Sequence, residues 1–283
     1  MIKLIACDCD GTLLNNNSDL DEETIKAINR FQEKGGIFML ATGRNKWEAA
    51  AITDQLKDCV LNCDDGLALF DQDGSKLLIH EIGKEKLRMI NNFSEHYGFP
   101  VLYHAIDATY INYEYDRFRE KAMKQIAKKY AGVNAEITFD WIFNNSYFRY
   151  GTDFEEILTK DVIEIEPMLI DDEDFELVID ECKKICKGMD IYVGTFHNNL
   201  EIVSGESDKG KTILEYCKLK GINNDEVIVI GDSVNDISMF SLFENSYCVK
   251  SGQDEALKAA KYIIGSSNEL GVAKLIEKIN DIQ

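Results

Sequence analysis

The chain has 283 residues, of which 45% are hydrophobic and 10% aromatic, so it can bury real cores and is not a disordered protein. Acidic residues number 51 against 31 basic ones, and the formal charge of −20 argues against nucleic acids and anionic membrane surfaces as partners. No apolar run approaches the roughly 18 residues of a membrane helix and no signal peptide is recognised, so we expect a cytoplasmic protein.

The first predicted element is a short apolar strand that ends at two aspartates, Asp8 and Asp10. If the strand continues to Asp10, both carboxylates leave it on the same side, because side chains alternate along a strand. If it ends at Asp8, as the following Gly11 and Thr12 suggest, Asp10 can swing toward Asp8. Two adjacent anions at a buried strand end repel each other unless a cation or a proton offsets them, so this turn is predicted to be functional.

A helix from Asp21 and a buried strand, Ile37 to Ala41, come next, and the strand ends at Thr42-Gly43. A hydroxyl and backbone N–H groups at this point could bind an anion, although Thr-Gly also suits any tight turn. A third strand, Cys59 to Cys63, precedes a predicted hairpin. This alternation predicts a parallel sheet with crossover helices, in which functional side chains follow the carboxyl ends of the strands.

The pattern changes between residues 83 and 205, where adjacent strands and hairpins predict an antiparallel α+β domain inserted into the first. Its predicted elements are helices at 84–97, 117–130 and 175–186, strands at 100–104, 109–113 and 162–170, an irregular aromatic segment at 139–150, and a hairpin of 191–196 with 200–203. Residues 1–82 and 206–283 are predicted to form the core domain.

The first pattern then resumes with a helix that begins near Lys209. The strand Val227 to Ile230, the most apolar of the chain, delivers Asp232 to the same sheet edge, with Asp236 one helical turn later. Either acid alone could simply cap a helix, but that explanation is poor for both together with Asp8. Two short strands and a final helix complete a doubly wound α/β core.

Eight cysteines in a chain of this length do not form a disulfide scaffold. Those predicted to be core residues are Cys7, Cys9, Cys59, Cys63, Cys217 and Cys248. Cys182 and Cys186 could share a metal only with further ligands, which no CxxC pair or suitably spaced histidine supplies.

The charges of the predicted site indicate its chemistry. Asp8, Asp10, Asp232 and Asp236 bring four negative charges and Lys209 one positive charge. Carboxylate oxygens of this kind select Mg²⁺, which usually binds through one or two carboxylates and a phosphate. A phosphate dianion then fits only if Asp10 is protonated, which is the state that a general acid needs. A carboxylate nucleophile, an acid, Mg²⁺ and a lysine together indicate phosphoryl transfer through an aspartyl phosphate.

Four motifs in this order resemble those of the haloacid dehalogenase superfamily phosphatases. They are Asp8-x-Asp10-Gly-Thr, Ala41-Thr42-Gly43-Arg44, Lys209-Gly210 and Gly231-Asp232-Ser233-x-Asn235-Asp236. The inserted domain is similar in length and pattern to the α+β cap of the Cof-type subfamily. The resemblance implies a Mg²⁺-dependent phosphatase of small phosphorylated metabolites, with sugar phosphates as the first expectation, acting as a monomer or small homo-oligomer.

The same resemblance implies a role for each site residue. Asp8 would be the nucleophile, and Asp10 would protonate the leaving alcohol and later deprotonate water. The phosphoryl group would be held by Thr42, Gly43, Lys209 and Asn235. Magnesium would be bound by the carboxylates of Asp8 and Asp232 and by the backbone carbonyl of Asp10. Asp236 would orient Lys209 or a metal-bound water.

One residue departs from the family pattern, which commonly has Asn-Gly where this chain has Asp65-Gly66. An added negative charge near the site would disfavour an anionic leaving group. We favour a neutral turn substitution, since Asp and Asn both suit such turns. Candidate substrate contacts in the inserted domain are Trp141, Tyr147, Arg149, Tyr150 and His197, although aromatic residues of this kind are more often core.

Two other functions share part of the pattern. A phosphomutase also uses an aspartyl phosphate and an acid/base aspartate, and nothing in the motifs excludes it. A receiver-like signalling module combines a parallel sheet, an acidic cluster, Mg²⁺ and a phosphorylated aspartate. That second function does not account for Asp10, for the inserted domain or for the length of the chain.

Overall fold

A computed structural model describes residues 1–129, 134–144, 146–194, 198–205 and 207–282. Contacts divide the chain into two compact units: the first unit is Met1–Ile79 with Ser207–Gln283, and the second unit is His80–Glu206. Among the helices in these described ranges, none combines the length and the apolar character that crossing a membrane requires.

The secondary structure follows the chain in this order. The strands are β1 Leu4–Cys7, β2 Ile37–Ala41, β3 Val60–Cys63, β4 Ala68–Phe70, β5 Lys76–Ile79, β6 Val101–Ala105, β7 Thr109–Ile111, β8 Phe148–Tyr150, β9 Val162–Pro167, β10 Asp190–Gly194, β11 Asn199–Val203, β12 Val227–Gly231, β13 Ser246–Val249 and β14 Tyr262–Ile264. The helices are α1 Glu22–Glu33, α2 Lys46–Thr53, α3 Lys84–Tyr97, α4 Tyr115–Lys129, α5 Ala135–Phe143, α6 Phe154–Ile157, α7 Phe175–Ile185, α8 Lys209–Lys220, α9 Ile237–Leu242, α10 Asp254–Ala259 and α11 Gly271–Ile282.

The first unit contains a sheet with the strand order β14-β13-β12-β1-β2-β3-β4-β5. From β14 to β3 neighbouring strands are parallel, whereas β4 and β5 are antiparallel. The chain proceeds from β1 toward β3 on one side and from β12 toward β14 on the other. The strand order therefore reverses between β1 and β12, which is where open α/β sheets bind their ligands. This topology confirms the predicted doubly wound α/β core.

The central strands of this sheet are apolar because helices cover both of their faces. Every residue of β1 and of β12 is buried. On one face, side chains of these strands pack with Ile213, Tyr216 and Met239 from α8 and α9. On the other face, α1 packs against α11, where the Asn280 side chain donates a hydrogen bond to the carbonyl oxygen of Ala27.

The second unit contains a sheet with the order β10-β11-β9-β6-β7-β8, antiparallel except between β7 and β8. The prediction of an irregular segment at 139–150 is wrong, because this part of the chain contains α5 and β8. Residues 135–143 form α5, because Asn134 caps the helix by accepting the N–H groups of Glu136 and Ile137. Phe139 and Phe143 are buried on the inner face of that helix, and β8 follows it.

Strand boundaries in the second unit also differ from the prediction. The strand predicted at 162–170 ends at Pro167, which has no N–H to continue a ladder, and Leu169 has a positive φ of 52°. The strand predicted at 191–196 is β10, which the structure describes over Asp190–Gly194. Residues 195–197, and with them the candidate contact His197, lie outside the described residues.

Candidate active site

The carboxylate of Asp8 follows the carboxyl end of β1 and is bound by a buried lysine. Lys209 Nζ lies 2.7 Å from Asp8 Oδ1 and 2.9 Å from Asp236 Oδ1. Burial, and next the negative charge of Asp236, raise the pKa of Asp8 well above its ordinary value. Burial lowers the pKa of Lys209, but the charges of Asp8 and Asp236 outweigh it and raise that pKa overall. One buried ammonium group thus faces two buried carboxylates.

Asp232, the first residue after β12, lies beside Asp8. Its Oδ1 accepts a hydrogen bond of 3.1 Å from the hydroxyl of Thr12, and a carboxylate oxygen of Asp232 lies within 4.8 Å of one of Asp8. A Cβ on Gly11 would lie 2.5 Å from Asp232 Oδ2, and Gly11 has a φ of +80°. Glycine therefore allows the β1 turn to close against Asp232. Burial, followed by the charge of Asp236, raises the pKa of Asp232.

The chemistry of these donors fits a divalent cation. Asp8, Asp232 and Asp236 each offer a carboxylate oxygen within 4.8 Å of the others. Asp236 is already committed to the protein: its Oδ1 accepts from Lys209, and its Oδ2 accepts the backbone N–H groups of Asp232 and Ser233 at 2.8 and 3.0 Å. Asp8 and Asp232 are thus the carboxylates suited to Mg²⁺, and a cation there would offset their mutual repulsion.

Asp10 does not join this group. Its carboxylate accepts hydrogen bonds from Arg44 Nε at 2.8 Å and from Arg44 Nη2 at 2.6 Å, and its side chain is 55% exposed. Neither predicted arrangement of Asp10 is observed. The strand β1 ends at Cys7, so it does not carry Asp10 on the same side as Asp8. Asp10 also does not swing toward Asp8, because its carboxylate is bound by Arg44. One guanidinium group thus binds both oxygens of Asp10.

Thr42 and Gly43 follow β2 at the same edge of the sheet. β2 lies next to β1, with Leu40 opposite Cys7, so Thr42 follows its strand close to where Asp8 follows β1. Thr42 is buried, and its hydroxyl accepts the backbone N–H of Arg44 at 3.1 Å. This local turn leaves the hydroxyl proton available to an anion, as the proposed phosphoryl contact would require.

Asp65 lies among the groups predicted to bind phosphate. Its Oδ1 accepts a hydrogen bond of 2.9 Å from Asn235 Nδ2 and lies 3.7 Å from Lys209 Nζ. A Cβ on Gly43 would lie 3.0 Å from Asp65 Oδ2. The favoured interpretation of Asp65 as a neutral turn substitution, which its φ of 51° suits, stays a prediction. Asp65 comes soon after β3, the strand next to β2, and this position could have indicated from the sequence that Asp65 lies near the predicted phosphate-binding groups.

The side chains of Thr12, Asn62 and Thr212 support the site, and no role was predicted for them. Thr12, inside the first motif, orients Asp232. The buried amide of Asn62 donates to the carbonyl oxygen of Lys209 at 3.1 Å. The carbonyl oxygen of Gly66 accepts the Thr212 hydroxyl at 2.7 Å, which fixes the first turn of α8. Asn62 is a polar residue near the end of an apolar strand, and this pattern could have indicated from the sequence that its side chain makes a buried hydrogen bond.

The candidate substrate contacts of the second unit have mainly structural partners. The Tyr147 hydroxyl donates to the carbonyl oxygen of Ala105 at 3.0 Å, and the Tyr150 hydroxyl donates to that of Phe143 at 2.7 Å. Arg149 donates to nearby backbone carbonyl groups. Trp141 is 83% exposed on α5.

Three kinds of comparison relate this chain to known proteins. The family model described as haloacid dehalogenase-like hydrolase matches residues 5–276, which confirms the resemblance found in the motifs. Phosphatase YwpJ of Bacillus subtilis (strain 168) is 26% identical over 98% of this chain and 100% of its own. The 5-amino-6-(5-phospho-D-ribitylamino)uracil phosphatase YwtE of the same organism is 23% identical over 98% of both chains. A haloacid dehalogenase-like hydrolase structure from Bacteroides thetaiotaomicron shares the fold, with a TM-score of 0.75 and 21% identity over 99% of this chain and 100% of that one.

Proposed function

Since this chain belongs to the haloacid dehalogenase-like hydrolases and is a phosphatase of that family, we propose that its substrates are small phosphorylated metabolites. Hydrolysis would proceed through a phosphorylated Asp8, with Mg²⁺ as cofactor. The observation that carries this proposal is the buried contact of Lys209 with Asp8 and Asp236 at the point where the strand order reverses. A buried lysine between two carboxylates is costly as a purely structural feature, but it suits a site that receives a phosphoryl group.

The first half-reaction forms the bond between Asp8 and phosphorus. The free oxygen of Asp8 attacks the phosphorus atom while the ester bond to the leaving oxygen breaks. Lys209 offsets charge on the phosphoryl oxygens, and Thr42, Gly43 and Asn235 donate hydrogen bonds to them. Mg²⁺, held by Asp8, Asp232 and the Asp10 carbonyl group, would supply positive charge at the phosphoryl group.

Proton transfer is the task proposed for Asp10. It gives a proton to the leaving oxygen as the ester bond breaks, and it then takes a proton from the water that attacks phosphorus and releases phosphate. Asp8 is regenerated as a carboxylate, so protons and charge balance over the cycle. Asp10 has to separate from Arg44 in order to act, because the observed pairing occupies both of its oxygens.

We propose phosphorylated sugars or polyols as the substrate class. The resemblance to the family made sugar phosphates the first expectation, and the relative YwtE is named for a substrate with a phosphorylated ribityl chain. We further propose that residues 83–205 form a cap domain that selects the substrate. A cytoplasmic location and a monomer or small homo-oligomer stay predictions.

Release of inorganic phosphate tests this function. The purified protein should release phosphate from 4-nitrophenyl phosphate and, within a panel of phosphorylated metabolites, from sugar or polyol phosphates. Asp8→Asn should retain the fold, by circular dichroism and melting temperature, and lose at least about 10³-fold in turnover because it removes the nucleophile. Isomerised sugar phosphate without net phosphate release would instead indicate a phosphomutase. Near-normal turnover of Asp8→Asn would reject the proposed mechanism.

A further inference from the structure

The carboxylate of Asp65 is an anion placed among groups that are proposed to bind an anion. It accepts a hydrogen bond from Asn235 at 2.9 Å and lies 3.7 Å from the ammonium group of Lys209. Its other oxygen is 3.0 Å from the position that a Cβ would take on Gly43. Lys209, Asn235 and Gly43 come from three separate segments of the first unit, and Asp65 contacts or adjoins all three.

The backbone of this turn does not account for the charge. Asp65 has a φ of 51°, a conformation that asparagine tolerates as well as aspartate does. An asparagine side-chain oxygen could also accept the hydrogen bond from Asn235. What the carboxylate adds, beyond turn formation and this hydrogen bond, is one negative charge directed toward Lys209.

We propose that Asp65 determines ligand selectivity by competing with phosphoryl oxygens for Lys209 and Asn235. This inference rests on the proposed phosphatase function. The competing charge weakens the binding of every phosphate dianion, including the inorganic phosphate that the reaction releases. It weakens further the binding of ligands with a second anionic group, and so favours monophosphate esters whose leaving group is uncharged, such as sugar or polyol monophosphates.

The arrangement of charges supports a sizeable effect. Lys209 already faces Asp8 and Asp236, so its single positive charge is more than offset before Asp65 is counted. Asp65 is 54% exposed at the side chain, which screens its charge and limits the effect. Removal of one negative charge a few ångströms from a bound dianion should raise the affinity for that dianion by about tenfold. This value assumes an effective dielectric constant between that of a protein surface and that of water.

Inorganic phosphate is the probe for this proposal. Its dissociation constant with the Mg²⁺-loaded protein, measured by isothermal titration calorimetry, should fall by about tenfold in Asp65→Asn. Inhibition of 4-nitrophenyl phosphate hydrolysis by phosphate should strengthen in parallel. A bisphosphorylated sugar should gain more in kcat/KM than the corresponding monophosphate.

Asp58→Asn is the matched control. Asp58 is exposed, has a φ of 47° and lies outside the site, so this variant makes the same chemical change at a similar backbone conformation. We expect its phosphate affinity to equal that of the wild type. The inference would be overturned if Asp65→Asn bound phosphate no more tightly than the wild type does. The same conclusion follows if neither protein binds phosphate detectably. Failure of the proposed function is seen separately, as a wild-type protein that releases no phosphate from any ester.

Discussion

Arg44 holds both carboxylate oxygens of Asp10, with Nε 2.8 Å from Oδ2 and Nη2 2.6 Å from Oδ1. This contact directs Asp10 away from the cluster of Asp8, Asp232 and Asp236, although Asp10 is only two residues from Asp8. The hydrogen bond to Asp10 is also the main cause that raises the pKa of Arg44. The proposed proton transfer therefore begins with the rotation of one side chain out of an ion pair.

The first prediction concerns Asp10 and the leaving group. A sugar hydroxyl leaves poorly as an alkoxide, whereas 4-nitrophenolate leaves without a proton. Asp10→Asn should therefore slow the formation of the aspartyl phosphate by about 10²–10⁴-fold more with a sugar phosphate than with the aryl ester. Single-turnover measurement of the first half-reaction checks this, because steady-state rates also include the hydrolysis step in which Asp10 acts as a base.

Mg²⁺ affinity, measured by calorimetry, is the control for Asp10→Asn, since the backbone carbonyl group of Asp10 should bind the metal unchanged. Equal slowing with both substrates would exclude Asp10 as the acid and leave it a structural role.

The second prediction concerns the metal. EDTA should abolish phosphate release and added Mg²⁺ should restore it, whereas Ca²⁺ should not, because its larger and more flexible ligand shell disturbs in-line geometry. Mg²⁺ should also raise the melting temperature of the wild type, since it offsets repulsion between Asp8 and Asp232, and should raise that of Asp232→Asn much less. Full activity in chelator would show that the acidic cluster has another role.

The third prediction concerns the approach of Gly66 to the start of α8. Gly66 has a φ of +102°, and a Cβ there would lie 2.4 Å from the carbonyl carbon of Asp208. Gly66→Ala should therefore displace Lys209 and reduce activity as well as stability. Backbone strain of about 1–2 kcal/mol and overpacking of about 1–3 kcal/mol should add up in urea denaturation.

Gly74→Ala separates these two causes. Gly74 has a φ of +78°, but a Cβ there would have no neighbour within 4 Å, so this variant should show the backbone strain alone and keep its activity. Equal losses of stability in the two variants would mean that the close approach to Asp208 is unimportant.

The fourth prediction concerns the cysteines. All eight are free, and burial raises the pKa of Cys59 to about 12 and that of Cys217 to about 11. A raised pKa leaves a smaller thiolate fraction at neutral pH, and the thiolate is the reactive form. Native thiols should thus react with a disulfide reagent at pH 8 at least about a hundredfold more slowly than thiols in the urea-unfolded protein. The native rate should rise with pH. Rapid labelling of the native protein at pH 8 would contradict the burial of these thiols and their raised pKa values.

The sequence by itself determined the class of the core and the positions of its polar strand ends. A short continuous apolar run bounded by turn residues, such as Val227–Ile230, predicts a buried strand, and parallel strands bring Asp8, Thr42 and Asp232 to one edge of the sheet. The motifs in the sequence also identified Lys209 as the cation of the site.

Only the tertiary structure decided how individual side chains at that edge are paired. Asp65 meets Asn235 across 170 positions of the chain, and Asp10 turns to Arg44 and away from its near neighbour Asp8. Local periodicity carries no information on such pairs, because they depend on rotamers and on long-range distances that the folded sheet sets. The same holds for α5, where the burial of Phe139 and Phe143 stabilises a helix that the aromatic composition of the segment had concealed.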